Sequence, residues 1–329
     1  MSEPVLSVRN LRVEFTNRRA RLVAIDDVSF DVAQGEILGV VGESGAGKSV
    51  TGAAIVGLVE PPGRMTCGEI RLKGDRIDHL PAAEMRKIRG KRIGMVFQDP
   101  LSSLNPLFRI GDQIVETMRT HLKASRSDAR RRAIELLDEV GIPAAASRID
   151  AYPHQLSGGM RQRVVLALVL CTAPELIIAD EPTTALDVSV QAQIIDLIRA
   201  LAKNYGTSVM LITHDLGVIA EIADRVAVMY AGRIVEIGSV GDVLKGAKHP
   251  YSQGLMSAIP TLRQGAGPLR PIPGAMPRLH AMPNGCAFHP RCPVVIERCR
   301  SERPMLVRSG NIDVACWLHD KGAGQLDGR

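Results

Sequence analysis

The octapeptide Gly42-Glu43-Ser44-Gly45-Ala46-Gly47-Lys48-Ser49 constrains this chain more than any other stretch. It fits G-x-x-x-x-G-K-[ST], where glycines let the backbone wrap with its N–H groups facing inward as a concave anion site. Glu36-Ile37-Leu38-Gly39-Val40-Val41 leads straight into it and reads as a short buried strand. Ser49 to Val59 follows as a helix, stopped by Pro61-Pro62-Gly63, with its positive end aimed at the loop. Strand, loop and helix in this order predict a phosphate site in a parallel α/β domain. Lys48 would reach the β- and γ-phosphates of a bound nucleotide, and the Ser49 hydroxyl would coordinate Mg2+.

A second glycine-rich loop, Leu156-Ser157-Gly158-Gly159-Met160 followed by Arg161-Gln162-Arg163, is unexpected beside the first, because one nucleotide needs only one such loop. Polar residues end three other strand-type runs. Asp180-Glu181 closes Leu176–Ala179. An acidic residue at the tip of a buried strand beside a phosphate loop holds Mg2+ through water, and the next carboxylate, Glu181, stands where a general base orients and deprotonates the attacking water. His214 follows Val209–Ile212 and is placed to hydrogen-bond the γ-phosphate and that water. Gln98 ends Ile93–Phe97 and would report phosphate and Mg2+ occupancy to the segment behind it. Taken singly these residues say little. A lone histidine is more often structural, and an acidic strand end often just meets solvent.

The 329 residues exceed what one compact core absorbs. Alternating Val5–Val8, Leu11–Phe15 and Val28–Val32 predict half-buried strands, with a polar loop at Asn17–Arg21. Ile110–Leu122 and Arg126–Val140 carry helical periodicity. In the second, Ala133, Ile134, Leu137 and Val140 form the apolar stripe, Ser125 with Asp128 the N-terminal cap, and Gly141 the C-terminal stop. They predict a helical insert. Leu176–Ala179 and Ser208–Ile212 return to strand, and Val226–Tyr230 with Arg233–Ile237 predict a hairpin turning at Ala231-Gly232. Beyond Gly246 the composition shifts, with proline and glycine dense between Gly265 and Gly285. No apolar run approaches the roughly 20 residues that span a bilayer, and Met1-Ser2-Glu3-Pro4 begins no signal peptide. The chain is therefore expected in the cytoplasm. Its net charge of +6 suits nucleic acid or an anionic membrane, but 3% aromatic residues with one Trp count against base-stacking platforms.

In order, Gly42–Ser49, Gln98, Leu156–Met160, Asp180-Glu181, Thr184-Ala185-Leu186-Asp187 and His214 resemble the Walker A, Q-loop, signature, Walker B, D-loop and H-loop of ABC transporter ATP-binding subunits. The resemblance covers roughly residues 5 to 245. It implies a RecA-like P-loop core with an antiparallel β subdomain and a helical subdomain at about 100–160, all within residues 1–250. It implies that Phe15 stacks under adenine, that Ser157, Gly158 and Gly159 bind the γ-phosphate of ATP held by another subunit, and that Asp187 lies at the same interface. Met160 replaces the glutamine common at the signature's fifth position, and Thr184 the usual D-loop serine. Asp99-Pro100-Leu101-Ser102-Ser103-Leu104-Asn105-Pro106 and His249-Pro250-Tyr251-Ser252 resemble the dipeptide/oligopeptide (peptide/nickel) importer branch. That branch implies a second related ATPase in a heterodimer, two transmembrane permease subunits and an extracytoplasmic substrate-binding protein. It also implies a peripheral place on the cytoplasmic face of the bacterial inner membrane.

Residues 251–329 are expected to form a small irregular C-terminal domain bearing Cys286, Cys292, Cys299 and Cys316. Disulfides do not suit a cytoplasmic ATPase. No C-x2-C knuckle marks zinc, although Cys286/His289 and Cys316/His319 are C-x2-H pairs that keep Zn2+ as an alternative. Four irregularly spaced thiolates in a loop-rich tail suit a [4Fe–4S] cluster, and the resemblance to peptide-importer ATPases, some of them iron–sulfur proteins, favours it. Reduced cysteines without metal are the third possibility. Cys67 and Cys171 are expected as small buried residues. The competing function is an ABC-type ATPase acting on nucleic acid or ribosomes. Against it stand the single ATPase unit and a short insert without heptads, and no nucleic acid partner is expected.

Overall fold

The computed structural model describes residues 3–16, 20–99, 103–184, 186–257 and 272–320. Pro100, Leu101, Ser102, Ala185 and the Gly265 end of the glycine–proline stretch lie outside the described residues. The chain divides into two compact units. One comprises Met1–Leu6, Asp31–Ile37 and Arg71–Ile212, and the other Ser7–Phe30, Leu38–Ile70 and Thr213–Arg329.

Strands β1 (Leu6–Thr16), β2 (Arg21–Val32), β4 (Gly63–Leu72) and the two-residue β5 (Asp75–Arg76) form a four-stranded sheet in the order β2-β1-β4-β5; β3 (Ile37–Val41) is a separate, wholly buried strand. In β1, Leu6, Val8, Leu11 and Val13 are all fully buried. Their alternation slips by one at Arg9-Asn10, where Asn10 takes φ +48° and lets the strand recover its inward face. β2 begins at Arg21, well before the expected Val28, because Ala24 and Ile25 are also buried.

In the first unit, β6 (Ile93–Val96), β7 (Leu176–Asp180) and β8 (Ser208–Ile212) run parallel with β7 between the others. β7 and β8 are buried at every position, which is why they read as continuous apolar runs rather than alternating ones. The insert contains helices Ile110–His121 and Arg126–Glu139. Ser125 caps the second, its Oγ accepting from Asp128 N at 3.1 Å and donating to the Asp128 carboxylate at 2.6 Å, and Gly141 follows at φ +77°. The buried stripe includes Leu136 and leaves Ile134 half-exposed. Helix Val188–Tyr205 also belongs here, and buries Ile194, Ile195, Ile198, Leu201 and Ala202.

In the second unit, β3 pairs parallel with β9 (Arg225–Tyr230), and β9 turns antiparallel into β10 (Arg233–Ser239). Ala231 and Gly232, both at positive φ, make the expected turn. Helix Leu216–Ile222 packs directly on Gly39 of β3, where a Cβ would lie 2.6 Å from Ile219 Cδ1. The tail contains β11 (Val307–Ser309) and β12 (Ile312–Val314), and β12 pairs antiparallel with β10, Glu236 facing Val314. The described part of the tail thus packs within this unit rather than as a compact unit of its own. Cys67 is exposed on β4, against expectation, because that strand buries only Ile70 and Leu72. Cys171 is buried, its thiol donating to Leu168 O, and burial pushes its pKa up to about 12. Among the described residues no helix is long and apolar enough to cross a membrane.

Candidate nucleotide site

In the second unit the phosphate loop leaves the end of β3. Gly42 is forced by its neighbours, because a Cβ there would stand 2.3 Å from the Met229 carbonyl oxygen of β9. At Gly47, φ is +102° and a Cβ would approach Ile25 Cδ1 to 2.6 Å. Gly42 is therefore required by close backbone approach, and Gly47 by its left-handed φ, as well as by the anion cradle. Lys48 opens helix Lys48–Ile55 and lies 6% exposed, its ammonium donating to Gly42 O at 2.7 Å and Glu43 O at 3.2 Å. The cation thus spans the mouth of the loop, while Ser44, Gly45 and Ser49 face solvent. Glu43 turns its carboxylate away from the loop, towards Arg291 of the tail. Phe15 is half-buried on β1, its ring against Gly63. Thr213 N donates to Val40 O at 3.2 Å, which pins the exposed His214 beside the strand feeding the loop. Asp215 behind it caps helix Leu216–Ile222 by accepting from Gly217 N at 2.8 Å.

In the first unit, Asp180 is 7% exposed at the tip of β7. Glu181 adopts φ +47°, a strained value for a residue with a side chain. Its N–H donates to Ile212 O at 2.8 Å, and its carboxylate accepts from Gln98 Nε2 at 3.1 Å and Thr184 Oγ1 at 2.9 Å. Gln98 and Glu181 are therefore brought together. Thr184, noticed in the sequence only as a departure from serine, supplies the hydroxyl that orients the carboxylate. Ser157 caps helix Gly158–Leu170, its Oγ accepting from Met160 N, and Ser157 and Gly158 are exposed at that N-terminus. Gly159 is packed too closely against Val190 for a side chain, a Cβ falling 2.6 Å from Val190 Cγ1. Asp187 precedes helix Val188–Tyr205, whose first residue, Val188, is 84% exposed.

The four tail cysteines converge. Cys286, Cys292, Cys299 and Cys316 line one cavity of about 10 Å³, closed by Phe288, Pro304 and Trp317. Burial, with the neighbouring thiols adding to it, pushes Cys286 up to about 11 and also raises Cys292 and Cys316. Among the described residues, no group of three or more His, Cys, Asp or Glu is placed to hold a metal ion. The donor set is the one a cluster takes, but the space between the thiols is only about the size of one water. His289 and His319, the partners in the C-x2-H pairs, each set a ring nitrogen about 3 Å from a carbonyl oxygen, that of Cys286 and that of Lys248.

Comparison with known proteins follows the same lines. The family described as ABC transporter matches residues 25–184, and the oligopeptide/dipeptide transporter C-terminal region matches residues 235–299. The dipeptide transport ATP-binding protein DppD of Escherichia coli K12 is 46% identical over 92% of this chain and 92% of its own. DppD of Bacillus subtilis 168 is 47% identical over 98% and 96%, and the oligopeptide transport ATP-binding protein OppD of the same organism 48% over 98% and 91%. Among solved structures, the dimeric ATP-binding cassette MJ0796 bound to ADP and Pi superimposes with a TM-score of 0.64 at 28% identity, covering 71% of this chain and 98% of that one. CbiO1 of Clostridium perfringens gives 0.63 at 27%, covering 74% and 92%. The DppD and OppD relatives are named for peptide transport, and none supports the nucleic acid or ribosome alternative. The chain has the ABC ATPase fold and belongs to the family of ATP-hydrolysing subunits of dipeptide and oligopeptide ABC transporters.

Proposed function

We propose that this chain powers import of di- or oligopeptides, hydrolysing Mg–ATP at an interface with a second, related ATPase subunit beneath two membrane permeases. An extracytoplasmic binding protein would deliver the cargo. The chain would sit on the cytoplasmic face of the bacterial inner membrane, bound through its permeases. The peptide cargo is supported by the names of its relatives and by the match of its C-terminal region. A dimer is supported by exposed Ser157, Gly158 and Val188 and by the dimeric cassette whose fold it shares. Permease docking is supported by exposed apolar Phe97, Leu107 and Phe108 at the entry to the helical insert. In this reading residues 1–250 do the ATP chemistry, with the insert at about 100–160 passing on the motion, and 251–329 form an extension of the kind found in peptide importers.

The chemistry is in-line phosphoryl transfer to water, in which positioning and charge supply most of the acceleration. Phe15 stacks under the adenine, and the N–H groups of Gly42–Ser49 and the Lys48 ammonium hold the phosphates. Ser49, Gln98 and Asp180 would hold Mg2+ through the hard oxygen donors that it prefers, and the ion would supply positive charge against the charge developing on the phosphates. Glu181, steered by Gln98 and Thr184, takes the proton of the attacking water, and His214 hydrogen-bonds that water and the γ-phosphate. Ser157, Gly158 and Gly159 close on the nucleotide of the partner, with Asp187 beside them, at a helix N-terminus suited to anions.

We further propose that Cys286, Cys292, Cys299 and Cys316 hold a [4Fe–4S] cluster, Zn2+ being the alternative. Its support is the convergence of four thiols from separate segments on one cavity. Such a group would staple a tail poor in apolar residues. Anaerobic reconstitution with iron and sulfide decides between them. Four irons and four sulfides per chain, lost in Cys292→Ser, are expected, and zinc alone in the purified chain would overturn the cluster.

The observation that carries the ATPase mechanism is the Glu181 carboxylate, held between Gln98 and Thr184 at the tip of β7. Glu181→Gln in the assembled complex should lower ATP turnover by about 10²–10⁴-fold while nucleotide binding persists. Turnover at the parental rate would refute the assignment.

A further inference from the structure

We infer that Arg291 of the tail is a positioning residue for ATP binding, holding the phosphate loop in shape through Glu43. Arg291 lies 6% exposed, and its guanidinium forks onto the Glu43 carboxylate, Nη1 to Oε2 at 2.7 Å and Nη2 to Oε1 at 3.0 Å. Two-pronged pairs of this kind fix geometry as well as charge. The guanidinium is itself immobilised. Its Nε donates to Pro273 O at 2.8 Å, and its carbon lies 5.8 Å from the Tyr230 ring centre and 5.9 Å from that of Phe288. Tyr230 and Phe288 in turn pack edge-to-face at 5.2 Å.

A second arm reaches the same residue. The Glu43 N–H donates to Tyr251 Oη at 2.8 Å, and Tyr251 is fully buried against Tyr230. On its inner side the Glu43 carbonyl accepts from Lys48 Nζ and from Ala46 N at 3.1 Å. Glu43 is thus a pivot. Its outer face is gripped by residues more than 200 positions away, and its inner face aligns the lysine and the loop backbone that meet the phosphates.

The charge balance explains why the grip matters. A carboxylate in the loop that receives a triphosphate opposes binding unless it is neutralised and turned outward, and Arg291 does both. Removing Arg291 leaves Glu43 part-buried and unpaired, free to swing towards the nucleotide. Arg291 also ends the turn His289–Arg291 that joins Cys286 to Cys292, so the wall of the cysteine cavity and the grip on the loop are one piece of backbone.

The test uses the full-length chain with a fluorescent ATP analogue and Mg2+. Arg291→Met should weaken binding about tenfold, equivalent to about 1.4 kcal/mol. In the assembled ATPase it should raise KM for ATP by a similar factor with kcat within about twofold. Arg291→Lys, which keeps the charge but loses the fork, should fall between. Adding Glu43→Gln to Arg291→Met should tighten binding at least about threefold over the single variant, because the unpaired carboxylate is gone. Tyr251→Phe removes one hydroxyl while keeping the ring packing, and should weaken binding about threefold in a chain that melts normally. The inference is overturned if folded Arg291→Met or Tyr251→Phe binds ATP as the parent does. It is equally overturned if Glu43→Gln brings no recovery, or if the loss appears in kcat alone.

Discussion

Replacing Gly42 by alanine tests whether the phosphate loop is held by close backbone contact rather than by glycine flexibility. The added Cβ would stand 2.3 Å from the Met229 carbonyl oxygen and 3.1 Å from Ala46 Cβ. Ordinary carbon–oxygen contact is about 3.3 Å, so something must move by about 1 Å. Met229 is a poor candidate, since β9 pairs with β3 on one side and β10 on the other. The loop therefore yields, and with it the Gly42 carbonyl that accepts from Lys48 at 2.7 Å. A 1 Å misplacement of a catalytic group costs on the order of 10²-fold in rate. Gly42→Ala should thus lower ATP turnover of the assembled ATPase by about 10²-fold and weaken nucleotide binding measurably. Gly45→Ala is the internal control. Its φ of +82° strains an alanine by about 1 kcal/mol, but nothing lies within 4 Å of its Cβ, so it should cost well under tenfold. Equal effects from the two substitutions, or parental activity in Gly42→Ala, would refute the contact argument.

Three further outcomes follow from named contacts. Thr184→Val removes the 2.9 Å hydroxyl contact to Glu181 and leaves Gln98 in place; turnover should fall about tenfold, with serine at the same position restoring it. Arg21, then Arg12, hold the fully buried Glu14 carboxyl at about 2, below its ordinary 4.5. The lowered value means that its stabilisation is complete above about pH 4.5 and drains away as pH falls towards 2, so the melting-temperature gap between the parent and Glu14→Gln should close over that window. Ser125→Ala deletes the cap bond to Asp128 N and should cost about 1 kcal/mol in urea unfolding.

What was legible beforehand was what neighbouring residues decide among themselves. The phosphate loop, the Ser125 cap and the Ala231-Gly232 turn each depend on a handful of consecutive positions, and each forms as the pattern predicts. β4 escaped because only Ile70 and Leu72 of its ten residues are buried, so it shows no alternation to read. The helix Val188–Tyr205 escaped although its signal was present, Ile194, Ile195, Ile198, Leu201 and Ala202 recurring on one face. The paired strands of the tail are three residues each, and their pairing with β10 draws on partners that no local window contains.

Glu43 shows what the motif itself leaves open. In G-x-x-x-x-G-K-[ST] its position is unconstrained, and nothing about the octapeptide asks for an acid beside the phosphates. A carboxylate there is an electrostatic cost that a chain ending near residue 250 would carry without relief. Here the relief comes from Arg291, 248 residues away, delivered by the turn that runs between two of the four cavity cysteines. The tail therefore changes what the phosphate loop can tolerate. The acid at Glu43 is tolerated because the guanidinium at Arg291 faces it, so substituting Arg291 alone disturbs ATP binding more than substituting both.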